Sequence, residues 1–184
     1  MRLTESQIDV LLRQRSISEE WPWSTNDETI IDKNIRDIVA EVRRKARVED
    51  KTEFNHYGSG YASFVDCWLY RPTDEFRYCP GNNYHGLVVL FSRLSPFYVV
   101  GEGDKSWDGS SGASCLPAFE FLDVIEHPSV KELVRLVVPV LDARGLTRLH
   151  VDDLSPLLPS GVPVPSIMAE RVFRHFDALF YWED

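Results

Sequence analysis

The chain has 184 residues, 43% of them apolar and 27% charged, which excludes extended disorder and suits one folded domain spanning residues 1–184. No apolar stretch approaches the roughly 20 residues of a membrane helix, and residues 1–10 lack the basic start and apolar run of a secretory signal, so a cytoplasmic protein is expected. The net charge of −9 argues against nucleic acid and anionic membranes as partners and in favour of a basic protein surface.

That charge is unevenly placed. Residues 1–51 nearly balance, at a net of −1, whereas residues 52–184 carry a net of −8. The balanced part reads as helical. Thr4 and Gln7 have capping-box spacing, with Ile8, Leu11 and Leu12 following on one face, so a first helix is expected to end near Arg15. The Trp21-Pro22-Trp23 corner then packs aromatics onto the core. Thr25 and Glu28 repeat the capping spacing ahead of Ile31, Ile35, Ile38, Val42 and Ala46, one apolar face of a helix ending near Arg47. Arg43, Arg44, Lys45 and Arg47 oppose the negative end of its dipole. A nucleic-acid patch would need interleaved aromatics, and none are present.

The middle reads as sheet. Residues Tyr61 to Tyr70 are aromatic and β-branched, Gly86 to Phe91 form a continuous apolar run, and Phe97 to Gly101 return as an antiparallel partner. Gly101 to Gly112 (GEGDKSWDGSSG) is polar and glycine-rich, the pattern of a surface loop. Ala118 to Ile125 fits either a strand or a short helix. A further helix opens at Pro128 and carries Val130, Leu133, Val134, Val137 and Val138, with Pro139 expected to kink or end it and Gly145 as a stop. Pro156 to Pro165 is expected to lie extended on the core, and a last amphipathic piece spans Ala169 to Phe180. Together these predict an α+β fold, an antiparallel sheet of about three to five strands with helices packed mainly on one face.

Chemistry is sparse in the pattern. The glycine-rich stretch has neither phosphate-binding consensus, and its carboxylates would repel phosphate. Asp104 and Asp108 offer hard oxygens, but their spacing misses the calcium-loop pattern. The five histidines form no HxH or HExxH pair, so no metal site and no cofactor are expected. Cys67, Cys79 and Cys115 match neither a disulfide framework nor a CxxC motif. Cys115 with a histidine such as His85 is the thiol-enzyme alternative, a small hydrolase or transferase. Asp152 and Asp153, read as strand residues, point to opposite faces, and capping of a following turn near Ser155 explains Asp153. Glu102, Asp104, Trp107 and Asp108 form the expected partner-binding set, with Trp107 either at a loop tip as an aromatic anchor or folded back onto the core.

The organisation around YHGLVVLFSRLSPFYVVGEG (residues 84–103) and the ending VFRHFDALFYWED (residues 172–184) resembles the small acidic immunity proteins encoded beside bacterial contact-dependent and type VI secretion toxins. The resemblance covers much of residues 54–184 and includes the Leu179-Phe180-Tyr181-Trp182 ending. It implies a cytoplasmic, non-catalytic protein that binds one toxin domain and blocks its active site or its substrate access. A non-catalytic oligomeric interaction domain, using the Pro156 to Pro165 region, is the remaining alternative.

Overall fold

Capping at Thr4 starts the chain's regular structure. In the computed structural model, which describes residues 2–108, 111–114, 118–166 and 172–183, the Gln7 amide donates to Thr4 Oγ1 at 3.2 Å and the Thr4 amide donates to Gln7 Oε1 at 2.9 Å. This box opens α1 (Glu5–Leu12), which buries Ile8 and Leu11. It stops before Arg15, at Arg13, where Gln14 turns to a left-handed φ of 57°. The aromatic corner delivers one tryptophan inward: Trp23 is buried and its indole N–H donates to the Ser92 carbonyl at 3.1 Å, while Trp21 stays exposed.

The second capping box does not form. Thr25 lies in a single 3₁₀ turn (Trp23–Thr25), where its hydroxyl donates to the Pro22 carbonyl at 2.7 Å. Asp27 caps α2 (Glu28–Ala46) instead, accepting from the amides of Thr29 and Ile30. A carboxylate nearer the helix start meets the free N–H groups directly, which Thr25 is too distant to do. The expected face of Ile31, Ile35, Ile38, Val42 and Ala46 is buried. At the other end Arg43 pairs with Glu49 and Asp50 at 3.1 Å each.

The strands are β1 (Glu49–Glu53), β2 (Tyr61–Ala62), β3 (Phe64–Tyr70), β4 (Arg77–Cys79), β5 (Asn82–Ser92), β6 (Phe97–Asp108) and β7 (Ser111–Ser114). After them come α3 (Pro128–Ala143), β8 (Thr147–Arg148), α4 (Val151–Leu154), α5 (His175–Leu179) and β9 (Trp182–Glu183). Five strands follow one antiparallel path, β1-β3-β5-β6-β7, within the expected number. β4 pairs with β5 beside this path, and β8 adds a parallel pairing with β6, so the sheet is mixed and seven-stranded. β2 and β9 form a separate two-stranded ribbon. The charged β1 is an edge strand, a place where unpaired backbone is commonly protected by charge.

Side-chain alternation divides the sheet. Val65, Cys67, Leu69, Leu87, Val89, Phe91, Tyr98 and Val100 project to the face that α3 covers, and the Tyr98 hydroxyl donates to Asp142 on α3 at 3.0 Å. α2 packs against α3, linked at the surface by Arg144 and Glu41. Phe64, Asp66, Trp68 and Tyr70 project to the other face, where Phe64 meets Phe180 just after α5. Pro139 lies inside α3 without ending it. Burial of Val137, Val140 and Leu141 on either side outweighs the one backbone hydrogen bond that proline removes. α3 ends as expected at Gly145, whose φ of +78° allows the Gly145 and Leu146 amides to donate back to Asp142 and Leu141.

Residues 118–125 resolve into a 3₁₀ turn (Phe119–Phe121) followed by a bridge from Leu122 to Gly101. A Cβ at Gly101 would lie 2.1 Å from the Phe121 ring and 2.3 Å from its carbonyl oxygen. Gly101→Ala is therefore expected to destabilise the fold by about 1–3 kcal/mol through overpacking. Urea denaturation checks this, and a loss below about 0.5 kcal/mol would mean the 119–122 turn does not press on β6. The proline-rich passage lies on the core as expected, burying Leu158 and Val164 and turning at Gly161. The last helix is shorter than Ala169 to Phe180: α5 holds five buried residues, and 167–171 lie outside the described residues. Among the described residues no helix is long and apolar enough to cross a membrane.

Candidate functional site

The described residues of the GEGDKSWDGSSG stretch, 101–108 and 111–112, lie in strands and not in a loop. β6 runs unbroken from Phe97 to Asp108, pairing with β5 from Phe91↔Tyr98 to Asn82↔Trp107. Glycine and charge lower strand propensity here, but two flanking partners, β5 and β7, supply the hydrogen bonds that hold the segment extended. A period of two then sorts the side chains. Glu102, Asp104 and Asp108 fall on one face and Trp107 on the other.

Trp107 is consequently not an exposed anchor at a tip. Its ring stacks on Tyr84 at 5.5 Å and meets Tyr70 and Trp68 edge-on at 5.6 and 6.2 Å. Lys51 Nζ sits 3.9 Å over the Trp107 ring, and Lys105 Nζ lies 5.9 Å from that of Trp68. Deeper on the same face, buried Asp66 accepts from the Tyr57 hydroxyl at 2.9 Å and faces Lys105 at 3.5 Å. Burial raises its carboxyl pKa, with Lys105 and Tyr57 opposing.

The carboxylate face is built differently. His85 stands directly across the ladder from Asp104, and its Nδ1 lies 2.6 Å from Asp104 Oδ1. Glu102, two residues earlier on the same face, accepts at Oε2 from the amides of Glu126 and His127, both at 2.8 Å. Those two amides lead into α3, so the carboxylate is fixed at a helix N-terminus. Its other oxygen, Oε1, is 3.9 Å from His85 Nδ1. One donor atom each from His85, Glu102 and Asp104 lies within 4.8 Å of the others, the geometry in which a cation could be held. The His127 ring stacks on that of His85 at 4.5 Å, and His127 Nδ1 is buried with no hydrogen-bond partner among the described residues.

Among the described residues no lysine or arginine forms an ion pair with Glu102, Asp104 or Asp108, and the His85 imidazole lies against the first two. Asp104 is 47% exposed at its side chain. The face therefore presents Asp104 and Asp108 outward next to an imidazole pair, while Glu102 is largely covered at the α3 N-terminus.

The thiol alternative gains no geometry. Cys115 lies outside the described residues. Cys67 is buried against Thr52, and burial pushes its thiol pKa upward, away from a nucleophilic thiolate. Cys79 is exposed on β4. Asp152 and Asp153 lie in the short helix α4, not in a strand, and Asp153 accepts from the His150 amide at 3.0 Å, capping the start of its own helix rather than a turn near Ser155. The histidine cluster escaped the sequence pattern because His85 and Asp104 are 19 residues apart. An antiparallel register across β5 and β6 is what joins them. Continuing β5 back from its apolar run to Asn82 and β6 onward to Asp108 would have exposed the pairing.

Comparison with protein-family models, with curated proteins and with solved structures finds no match.

Proposed function

We propose that this chain is a binding module of the immunity type, which neutralises a cognate bacterial toxin domain by occupying a basic surface on it. The observation that carries the reading is the sorting of Glu102, Asp104 and Asp108 onto one face of the β5–β6 ladder, with no arginine or lysine paired to them among the described residues. A two-sided ladder holds these carboxylates in fixed positions, so little conformational entropy is lost on docking. Their field also steers a basic partner during encounter. The toxin's surface in this reading resembles a phosphate-binding cleft, and the carboxylates stand where phosphates would.

Trp107 leaves the contact set, because it faces the aromatic cluster across the strand. The test is co-expression with the product of the adjacent gene. A stable complex on co-purification and restored growth are expected. Unchanged toxicity with no complex would remove this reading.

A further inference from the structure

The same ladder carries a second chemistry, separate from protein docking. We infer that His85, Glu102 and Asp104 form a site for one divalent transition-metal ion, with zinc the first choice. Zinc takes imidazole nitrogen at about 2.0–2.1 Å and carboxylate oxygen at about 2.0–2.2 Å, so neighbouring ligand atoms of a tetrahedral ion sit about 3.3–3.6 Å apart. The pairs here are 2.6 Å from His85 Nδ1 to Asp104 Oδ1 and 3.9 Å from His85 Nδ1 to Glu102 Oε1. These values bracket the required separation, and small side-chain adjustments bring both onto it.

Two features separate this cluster from an ordinary group of surface acids. Glu102 is preoriented: its Oε2 is held by the Glu126 and His127 amides, which leaves Oε1 to turn toward His85. Metal-binding carboxylates are characteristically anchored this way through their second oxygen. The other feature is His127, whose ring packs on His85 at 4.5 Å while its buried Nδ1 has no hydrogen-bond partner among the described residues. The stacked His127 ring fixes the plane of the His85 imidazole that would donate to the ion. One nitrogen and two oxygens suit zinc better than calcium, which prefers six to eight oxygens. With three protein ligands the ion keeps an open coordination position.

An ion in this position would cancel part of the carboxylate charge, so metal and basic partner would compete for Glu102 and Asp104. The metal titration uses the chain alone and does not depend on any toxin. Zinc chloride is titrated calorimetrically into the chelator-treated full-length chain. Saturable binding of one ion is expected. His85→Ala and Glu102→Gln should each weaken it by about tenfold or more, while Asp108→Asn leaves it unchanged. Circular dichroism of each variant must match the parent, and Asp104→Asn provides a third ligand change that leaves the α3 N-terminus intact. Absence of saturable heat would overturn the inference. So would an isotherm that survives the His85 and Asp104 changes.

Discussion

Arg93→Met is expected to cost about 3–5 kcal/mol of folding stability, because it leaves a part-buried acid and several carbonyls without their partner. The Arg93 side chain is 2% exposed. Its Nε and Nη2 grip the two oxygens of Asp32 on α2 at 2.8 and 2.9 Å. Nη1 donates to the Ala62 and Phe64 carbonyls and Nη2 to that of Phe54, each at 2.9 Å. One guanidinium thus joins α2, the segment between β1 and β3, and the end of β5. Methionine fills much of the volume but satisfies none of these groups. Arg93→Lys is expected to fail nearly as badly, since a single ammonium cannot reproduce the bidentate fork and the carbonyl bonds together. Equilibrium urea denaturation reads the effect. A loss below about 1 kcal/mol for Arg93→Met would mean that this hub does not hold the layers together.

Trp68→Ala is expected to be comparably damaging, at about 3–5 kcal/mol. Trp68 is fully buried and stacks on Tyr70 at 4.5 Å, and its indole N–H donates to the Gly103 carbonyl at 2.8 Å. The absence of a side chain at Gly86 makes this seat possible, since a Cβ there would stand 2.4 Å from the indole ring. Because Gly103 lies between Glu102 and Asp104, this bond braces the strand that carries the carboxylate face. Trp68→Phe keeps most of the buried area and loses the hydrogen bond, so about 1–2 kcal/mol is expected. That milder variant should leave partner affinity within about threefold, as the indole lies on the opposite face from the carboxylates. Thermal or urea unfolding, paired with a binding titration, checks both halves.

The two long helices were legible because periodicity and burial agree along them. Ile31, Ile35, Ile38, Val42 and Ala46 are spaced for one face, and that face is buried. The apolar runs of β3 and β5 were legible for the same reason. The polar continuations were not. β1 (Glu49–Glu53) has no apolar alternation, because an edge strand with a solvated face needs none. The last half of β6 has glycine and aspartate where a strand former is expected, and its pairing with β5 and β7 overrides that preference. Mistaking this half for a loop also joined Trp107 to its acidic neighbours, although strand alternation sends them to opposite faces. Pro139 does not end α3, since helix packing tolerates it. The residues of the carboxylate face were readable; their company, His85 and the α3 N-terminus, depends on register and tertiary packing.

The central claim is that charge on one face of the β5–β6 ladder binds a basic protein. Its most direct test is the affinity of the chain for the product of the adjacent gene, measured in chelator at two salt concentrations. The double change Asp104→Asn with Asp108→Asn is expected to weaken binding by about a hundredfold and to flatten its salt dependence, while Trp107→Phe leaves both unchanged. Affinity of the double variant within about threefold of the parent, with the salt dependence intact, would contradict the account.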